Sequence, residues 1–120
     1  MKVIIAGSRT ITDAVLVHRA ICDALGMQGI EITEVVCGMA PGIDMLGKAW
    51  ADINKIPVKM FPAKWRDEHR RLDRYAGFKR NFQMAQYADA LIAITNGSSG
   101  TANMIASMEH MDKPVHILRV

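Results

Sequence analysis

The chain of 120 residues has no apolar run approaching the ~20 residues of a membrane-crossing helix. Met1-Lys2 leads straight into a strand-like run rather than a signal peptide, so a cytoplasmic protein with no membrane partner is expected. Cysteine is scarce: Cys22 and Cys37 have neither metal-ligand nor secreted-scaffold spacing, and both are expected to be buried, reduced thiols. His18, His69, His110 and His116 are scattered without metal spacing, so no metal site is expected. The glycine-lysine-serine/threonine ending of a triphosphate-binding loop is missing, and no G-x-G-x-x-G follows the first strand. Neither triphosphate hydrolysis nor an ordinary dinucleotide fold is supported, and no cofactor is expected. Ser8 and Ser98 have no base visible beside them, which argues against a nucleophilic triad. There is no low-complexity tract, repeat or linker, and half the residues are hydrophobic, so residues 1–120 read as one globular domain.

What the chain does have is one event repeated three times, an apolar run that ends in glycine and small hydroxyl residues before a helical pattern begins. Val3-Ile4-Ile5-Ala6 runs into Gly7-Ser8-Arg9-Thr10, Val35-Val36-Cys37 into Gly38-Met39-Ala40-Pro41-Gly42, and Leu91-Ile92-Ala93-Ile94 into Thr95-Asn96-Gly97-Ser98-Ser99-Gly100-Thr101. Helix starts carry unpaired N–H groups and the positive end of the helix dipole, and glycine lets a ligand approach the backbone. Three such starts on one sheet would make an anion site for a nucleotide or sugar phosphate.

Strand and helix patterns alternate along the chain. Strands are expected at 2–6, 33–37, Val58–Phe61, 90–94 and 115–118; helices at 13–27, 42–54, in one or two pieces from 65 to 88, and at 101–111. Val15, Ile21, Ala24 and Leu25 mark the apolar side of the first helix, and Ile43, Leu46, Gly47, Trp50 and Ala51 that of the second. The expected fold is α/β, a single Rossmann-like domain whose mainly parallel five-stranded sheet carries helices on both faces. Right-handed crossovers bring the three loops to its carboxyl edge, near a switch in strand order.

Within the loops, Thr10 and Asp13 have capping-box-like spacing. Arg9 can fork onto a phosphate or carboxylate, or pair with a neighbour such as Asp44. Asp44, in a first helical turn, either caps that turn, orients Arg9 or accepts from ribose hydroxyls. The run Asn96–Thr101 offers N–H groups and the hydroxyls of Ser98, Ser99 and Thr101, a nest suited to phosphate. Between Lys64 and Arg80 seven cations face three carboxylates, a local +4 beside the whole chain's +3. With Trp65, Tyr75 and Phe78 interleaved, this segment is a solvated face, one wall of the anion site or a nucleic-acid surface. The same aromatics with Phe82 also fit helical packing, and the modest net charge disfavours nucleic acid.

Gly7-Ser8-Arg9, the segment Cys37–Asp44, Pro62-Ala63-Lys64-Trp65, Ala76-Gly77 with Arg80-Asn81 and Met84, and Gly97–Ala102 followed by Lys113-Pro114-Val115 resemble the YspA-related branch of the SLOG superfamily. The resemblance covers nearly the whole chain in order. That superfamily is Rossmann-like and includes DNA-processing DprA proteins, LOG phosphoribohydrolases that cleave nucleoside monophosphates, and nucleotide-sensing modules. It implies a nucleotide-derived ligand contacted by Gly7, Ser8, Arg9, Gly38, Gly42, Asp44, Arg80, Asn81, Gly97, Gly100 and Thr101, and self-association through helices beside the site. Met104, Met108 and Met111 lie along one side of the last helix, where either core packing or self-association accounts for them.

Two positions depart from the pattern. LOG enzymes carry a glutamate where this chain has Met104, and a thioether neither acts as a base nor stabilises an oxocarbenium-like centre. Relatives tend to have Gly-Gly-Ala where this chain has Gly38-Met39-Ala40. The expected function is therefore binding or sensing of a nucleotide or nucleotide-derived phosphate. A nucleosidase or phosphoribohydrolase-like hydrolase, with Asp44 as its acid, is the alternative, and a single-strand nucleic-acid binder the third reading.

Overall fold

Branched apolar residues occupy the centre of the sheet because parallel strands covered on both faces have no wet side to make polar. The computed structural model describes residues 1–66, 69 and 71–120. Its strands are β1 (Lys2–Gly7), β2 (Glu34–Cys37), β3 (Val58–Met60), β4 (Ala90–Thr95) and β5 (Val115–Arg119), and its helices α1 (Ala14–Gln28), α2 (Ile43–Ile53), α3 (Ala76–Tyr87) and α4 (Ser99–His110). The strand order is β3-β2-β1-β4-β5, and every pairing is parallel. This is the expected Rossmann-like α/β architecture.

Side-chain alternation splits the core in two. Val3 and Ile5 of β1 face α1 and α2, joining Val17, Ala20, Ile21, Ala24, Ile43 and Ala51. Ile4 and Ala6 face α3 and α4, joining Met84, Ala85, Met104 and Met108. Met104 and Met108 of α4 are therefore core, both buried, and Met111, the residue after the helix, packs partly buried against the same cluster. They carry no argument for self-association. Leu46 and Trp50 pack against the first core, as their spacing predicts.

Several expectations are corrected. The apolar stripe of α1 runs through Val17, Ala20, Ile21 and Ala24, and Val15 and Leu25 fall out of phase with it and are exposed. Cys22 follows Ile21 by one residue, which turns it to solvent, so only Cys37 is a buried thiol. Thr10 does not cap α1. Asp13 does, its Oδ1 accepting from Val15 N at 2.9 Å, while Thr10 Oγ1 accepts from Asn96 Nδ2 at 3.1 Å.

Of the one or two helical pieces expected from 65 to 88, α3 is the one present among the described residues. Ahead of it Arg66 and Leu72 make an isolated antiparallel bridge, and Asp73 N donates to Trp65 O at 2.8 Å. Asp73 Oδ1 then accepts from Tyr75 N at 2.9 Å and Asp73 Oδ2 from Lys79 Nζ at 2.6 Å, a local turn that starts the helix late. The expected helix at 67, 68 and 70, and the charges of Asp67, Glu68 and Arg70, lie outside the described residues. Phe78 and Phe82 are exposed on α3, whose buried side is Ala76, Asn81, Met84 and Ala85, so helical packing does not explain these aromatics.

The far end of α3 is closed by a distant side chain. Lys113 Nζ donates to the carbonyls of Ala85, Gln86 and Ala88 at 2.6, 3.1 and 2.7 Å, giving the negative end of the helix dipole a cation.

Candidate functional site

The chain leaves β1 toward β2 and β3 on one side and returns to β4 and β5 on the other. The loops after β1 and β4 consequently diverge, and a crevice opens between them at the carboxyl edge of the sheet. Gly7 sits where the strands are closest, since a Cβ there would lie 2.0 Å from the carbonyl oxygen of Ile94. Ser8 fastens the loops together: its N–H donates to Ile94 O at 3.1 Å, and its hydroxyl accepts from Asn96 N at 3.0 Å and donates to Ser98 Oγ at 3.4 Å. Ser98 Oγ donates in turn to Thr101 Oγ1 at 2.7 Å.

The crevice holds a cavity of about 480 Å³, within the ~300–1,000 Å³ typical of small-molecule sites. Its lining includes ten of the thirteen residues expected from the sequence: Gly7, Ser8, Arg9, Asp44, Arg80, Asn81, Ser98, Ser99, Gly100 and Thr101. Gly38 lines an adjoining hollow of about 340 Å³, which shares Arg9, Ala40, Trp65 and Arg80 with the first. Gly42 and Gly97 line neither. Gly42, at φ +80°, precedes α2, and a Cβ there would come within 2.6 Å of the carbonyl oxygens of Ser8 and Arg9, so its role is to let the first loop rest on the start of α2. Gly97 turns the third loop at φ +105°.

The expected phosphate nest is narrower than the sequence implies. Asn96 N–H is taken by Ser8 Oγ, and Gly97 N–H by Thr95 Oγ1 at 3.0 Å. The backbone donors of this run left for an anion are Ser98 N–H and those of the first turn of α4, where Ser98, Ser99, Gly100 and Thr101 line the cavity.

Three cations line this cavity, Arg9, Arg74 and Arg80, and two of them stand beside the loops. Arg9 is exposed at the mouth, and no ion pair joins it to Asp44 among the described residues. Arg80 is half-buried: its Nη1 donates to the carbonyl of Gly38 and its Nε to Asn81 Oδ1 at 3.0 Å. Asn81 Nδ2 bridges onward to Gly100 O at 3.2 Å and Asn103 Oδ1 at 3.1 Å, so the guanidinium is braced against α4. Burial lowers the Arg80 pKa from its ordinary value, with the charge of Asp44 opposing that fall.

Asp44 is buried at the start of α2, its Oδ2 accepting from Ala40 N at 3.4 Å. Burial pushes its pKa up to about 6, against the opposing pull of Ala40 N–H, Arg80, Gly7 N–H and Arg9. A Cβ at Gly38 would lie 2.8 Å from Asp44 Oδ2 and 2.9 Å from Arg80 Nη1, so a side chain there would collide with both charged groups. Beside them Met39 adopts φ +62°, the left-handed backbone that glycine enters without strain. Cys37 Sγ donates to Asp44 O at 3.4 Å and accepts from Met39 N at 3.3 Å, and burial raises its pKa, which makes it a structural thiol.

Further residues complete the lining. Thr10, Ala40 and Asn96 belong to the recognised loops but were not named as ligand contacts, and Met104 adds apolar wall. Trp65, Arg74, Gly77 and Phe78 add a wall from the segment before α3 and its first turn. Of the interleaved aromatics, Trp65 and Phe78 reach the cavity, whereas Tyr75 does not line it. Among the described residues no group of three His, Cys, Asp or Glu would hold a metal, and no helix is long and apolar enough to cross a membrane.

Comparison with known proteins adds one match. No curated protein and no solved structure matches the chain. The family model described as the YspA, cpYpsA-related SLOG family matches residues 1–68, more than half of the sequence, spanning β1 through the second loop to the Trp65 segment and ending before α3, β4, α4 and β5. On that match, and with the Rossmann-like sheet beneath it, the chain belongs to the YspA, cpYpsA-related SLOG family.

Proposed function

We propose that this protein binds a nucleotide or nucleotide-derived phosphate in the cavity between the first and third loops. The observation that carries the reading is the convergence of Arg9, Arg80 and the first turn of α4 on one cavity at the strand-order switch. A phosphate placed there meets two guanidinium groups and the positive end of a helix dipole. Family membership agrees with a nucleotide-related ligand, but the fold itself hosts binders and enzymes alike.

The test is thermal stabilisation by a panel of nucleoside phosphates against free nucleosides. A ligand present at a hundredfold its Kd adds ~2.7 kcal/mol to stability. Phosphates that leave the melting temperature unmoved at millimolar concentration would refute the reading.

One observation favours a hydrolase instead. Asp44 is the single carboxylate among the described lining residues, and a pKa near 6 suits a general acid. Against it stands Met104, whose buried thioether supplies no second carboxylate where the LOG enzymes have theirs. Release of free base from nucleoside monophosphates, lost in Asp44→Asn, would establish turnover. Binding without base release is the expected result. Self-association and a cytoplasmic location remain part of the proposal, the first to be checked by light scattering.

A further inference from the structure

We infer that the cavity is built for a ligand with a flat aromatic ring, and that Trp65 and Phe78 form the platform on which the base of a nucleoside phosphate stacks. The inference rests on the phosphate-binding reading above and adds what the other end of the ligand must be.

Trp65 and Phe78 are 44% and 46% exposed, yet both line the cavity that Arg9 and Arg80 also line. Large aromatic surface left open beside a charged subsite is unfavourable in water and is covered when a ring stacks on it. A sugar phosphate alone has no such ring. An aromatic base joined through ribose to phosphate has both chemistries, and they match the two kinds of wall.

The platform is held in place. Trp65 O accepts from Asp73 N at 2.8 Å, and Asp73 in turn anchors the start of α3 through Tyr75 N and Lys79 Nζ. The indole lies over the first turn of α3 at Gly77, where a Cβ would meet Trp65 Cη2 at 3.4 Å and Cζ2 at 3.9 Å. Gly77 thus leaves room for the ring to lie close against the helix. Arg74, also in the lining, brings a third cation to this end, able to stack on a base or meet its polar edge.

The test compares the 5′-monophosphates of adenosine, guanosine, cytidine and uridine with ribose 5-phosphate by calorimetry, on wild type, Trp65→Ala and Trp65→Phe. Stacking on one aromatic side chain is worth roughly ten- to hundredfold in affinity. The best nucleotide should bind wild type that much more tightly than ribose 5-phosphate. Trp65→Ala should bring the ratio near one, and Trp65→Phe should restore most of it. A ratio near one in wild type, or a ratio unchanged by Trp65→Ala, overturns the platform while leaving the phosphate site intact. A wild-type dimer that becomes a monomer in Trp65→Ala, with the ratio unchanged, assigns the aromatics to a second copy and overturns it too. If none of the five compounds binds, the phosphate reading falls and the platform with it.

Discussion

Asp44 places an unusual pH dependence on this fold. A carboxyl whose pKa rises from 3.8 in the open chain to about 6 in the native state costs about 3 kcal/mol once ionised, at ~1.36 kcal/mol for each unit of pKa. The sign is opposite to that of a salt-bridged aspartate. Below pH 3.8 both states are protonated and nothing is lost. Between 3.8 and about 6 the unfolded chain gives up its proton first, so stability falls as pH rises, and above 6 the loss is complete. Asp44→Asn mimics the protonated side chain and can still accept from Ala40 N through its amide oxygen. The two proteins should therefore be about equally stable at pH 4, and the variant should be ahead by roughly 3 kcal/mol at pH 7.5. Urea unfolding of both, read as the difference at each pH, cancels the contributions of other groups. A difference that stays flat from pH 4 to 7.5, or that favours wild type increasingly as pH rises, would refute the argument. The same coupling predicts that a bound phosphate, repelled by the carboxylate, is taken up together with a proton near neutral pH.

Arg9→Ala should keep the melting temperature of the free protein, because the side chain is exposed, and weaken nucleotide binding by roughly 1.5–3 kcal/mol in a titration. Lys113→Met should destabilise the fold by roughly 1.5–3 kcal/mol in urea, since the C-terminal turn of α3 loses three charge-assisted bonds at once. Chromatography of nucleoside monophosphates incubated with wild type should show no free base at an enzyme-like rate.

Most of the fold was legible in the sequence, because its strands are short apolar runs punctuated by glycine and that pattern reports burial directly. Among the described residues before Ala76 no helix forms, because charged and aromatic residues imitate an amphipathic spacing while Asp73 closes the backbone locally, a choice that periodicity does not register. For the site, the three loops could be seen because glycine and small hydroxyls follow each strand. Arg80 stood out only as one cation of the basic segment, and Asn81 came through resemblance, since nothing local in a mid-helix Arg-Asn marks a partner across the fold. The roles of Gly42 and Gly97 differ from expectation because a glycine signals room for something to approach, and at Gly42 that something is the chain's own backbone. Trp65 and Phe78 were noticed but not placed, as their positions depend on how the loop before α3 lies across its first turn.

The central ladder joins distant parts of the chain. Lys2 N and Asp89 Oδ2 meet across 87 positions at the head of the β1–β4 pair, and the two loops that bound the cavity leave the other end of that same pair. Closing so long a loop costs entropy before any contact rewards it, so pairing of β1 with β4 is expected among the late events of folding. The anion site comes into being with that closure. A nucleotide that binds there would report completion of the fold, and would bridge the two loops that leave the β1–β4 pair.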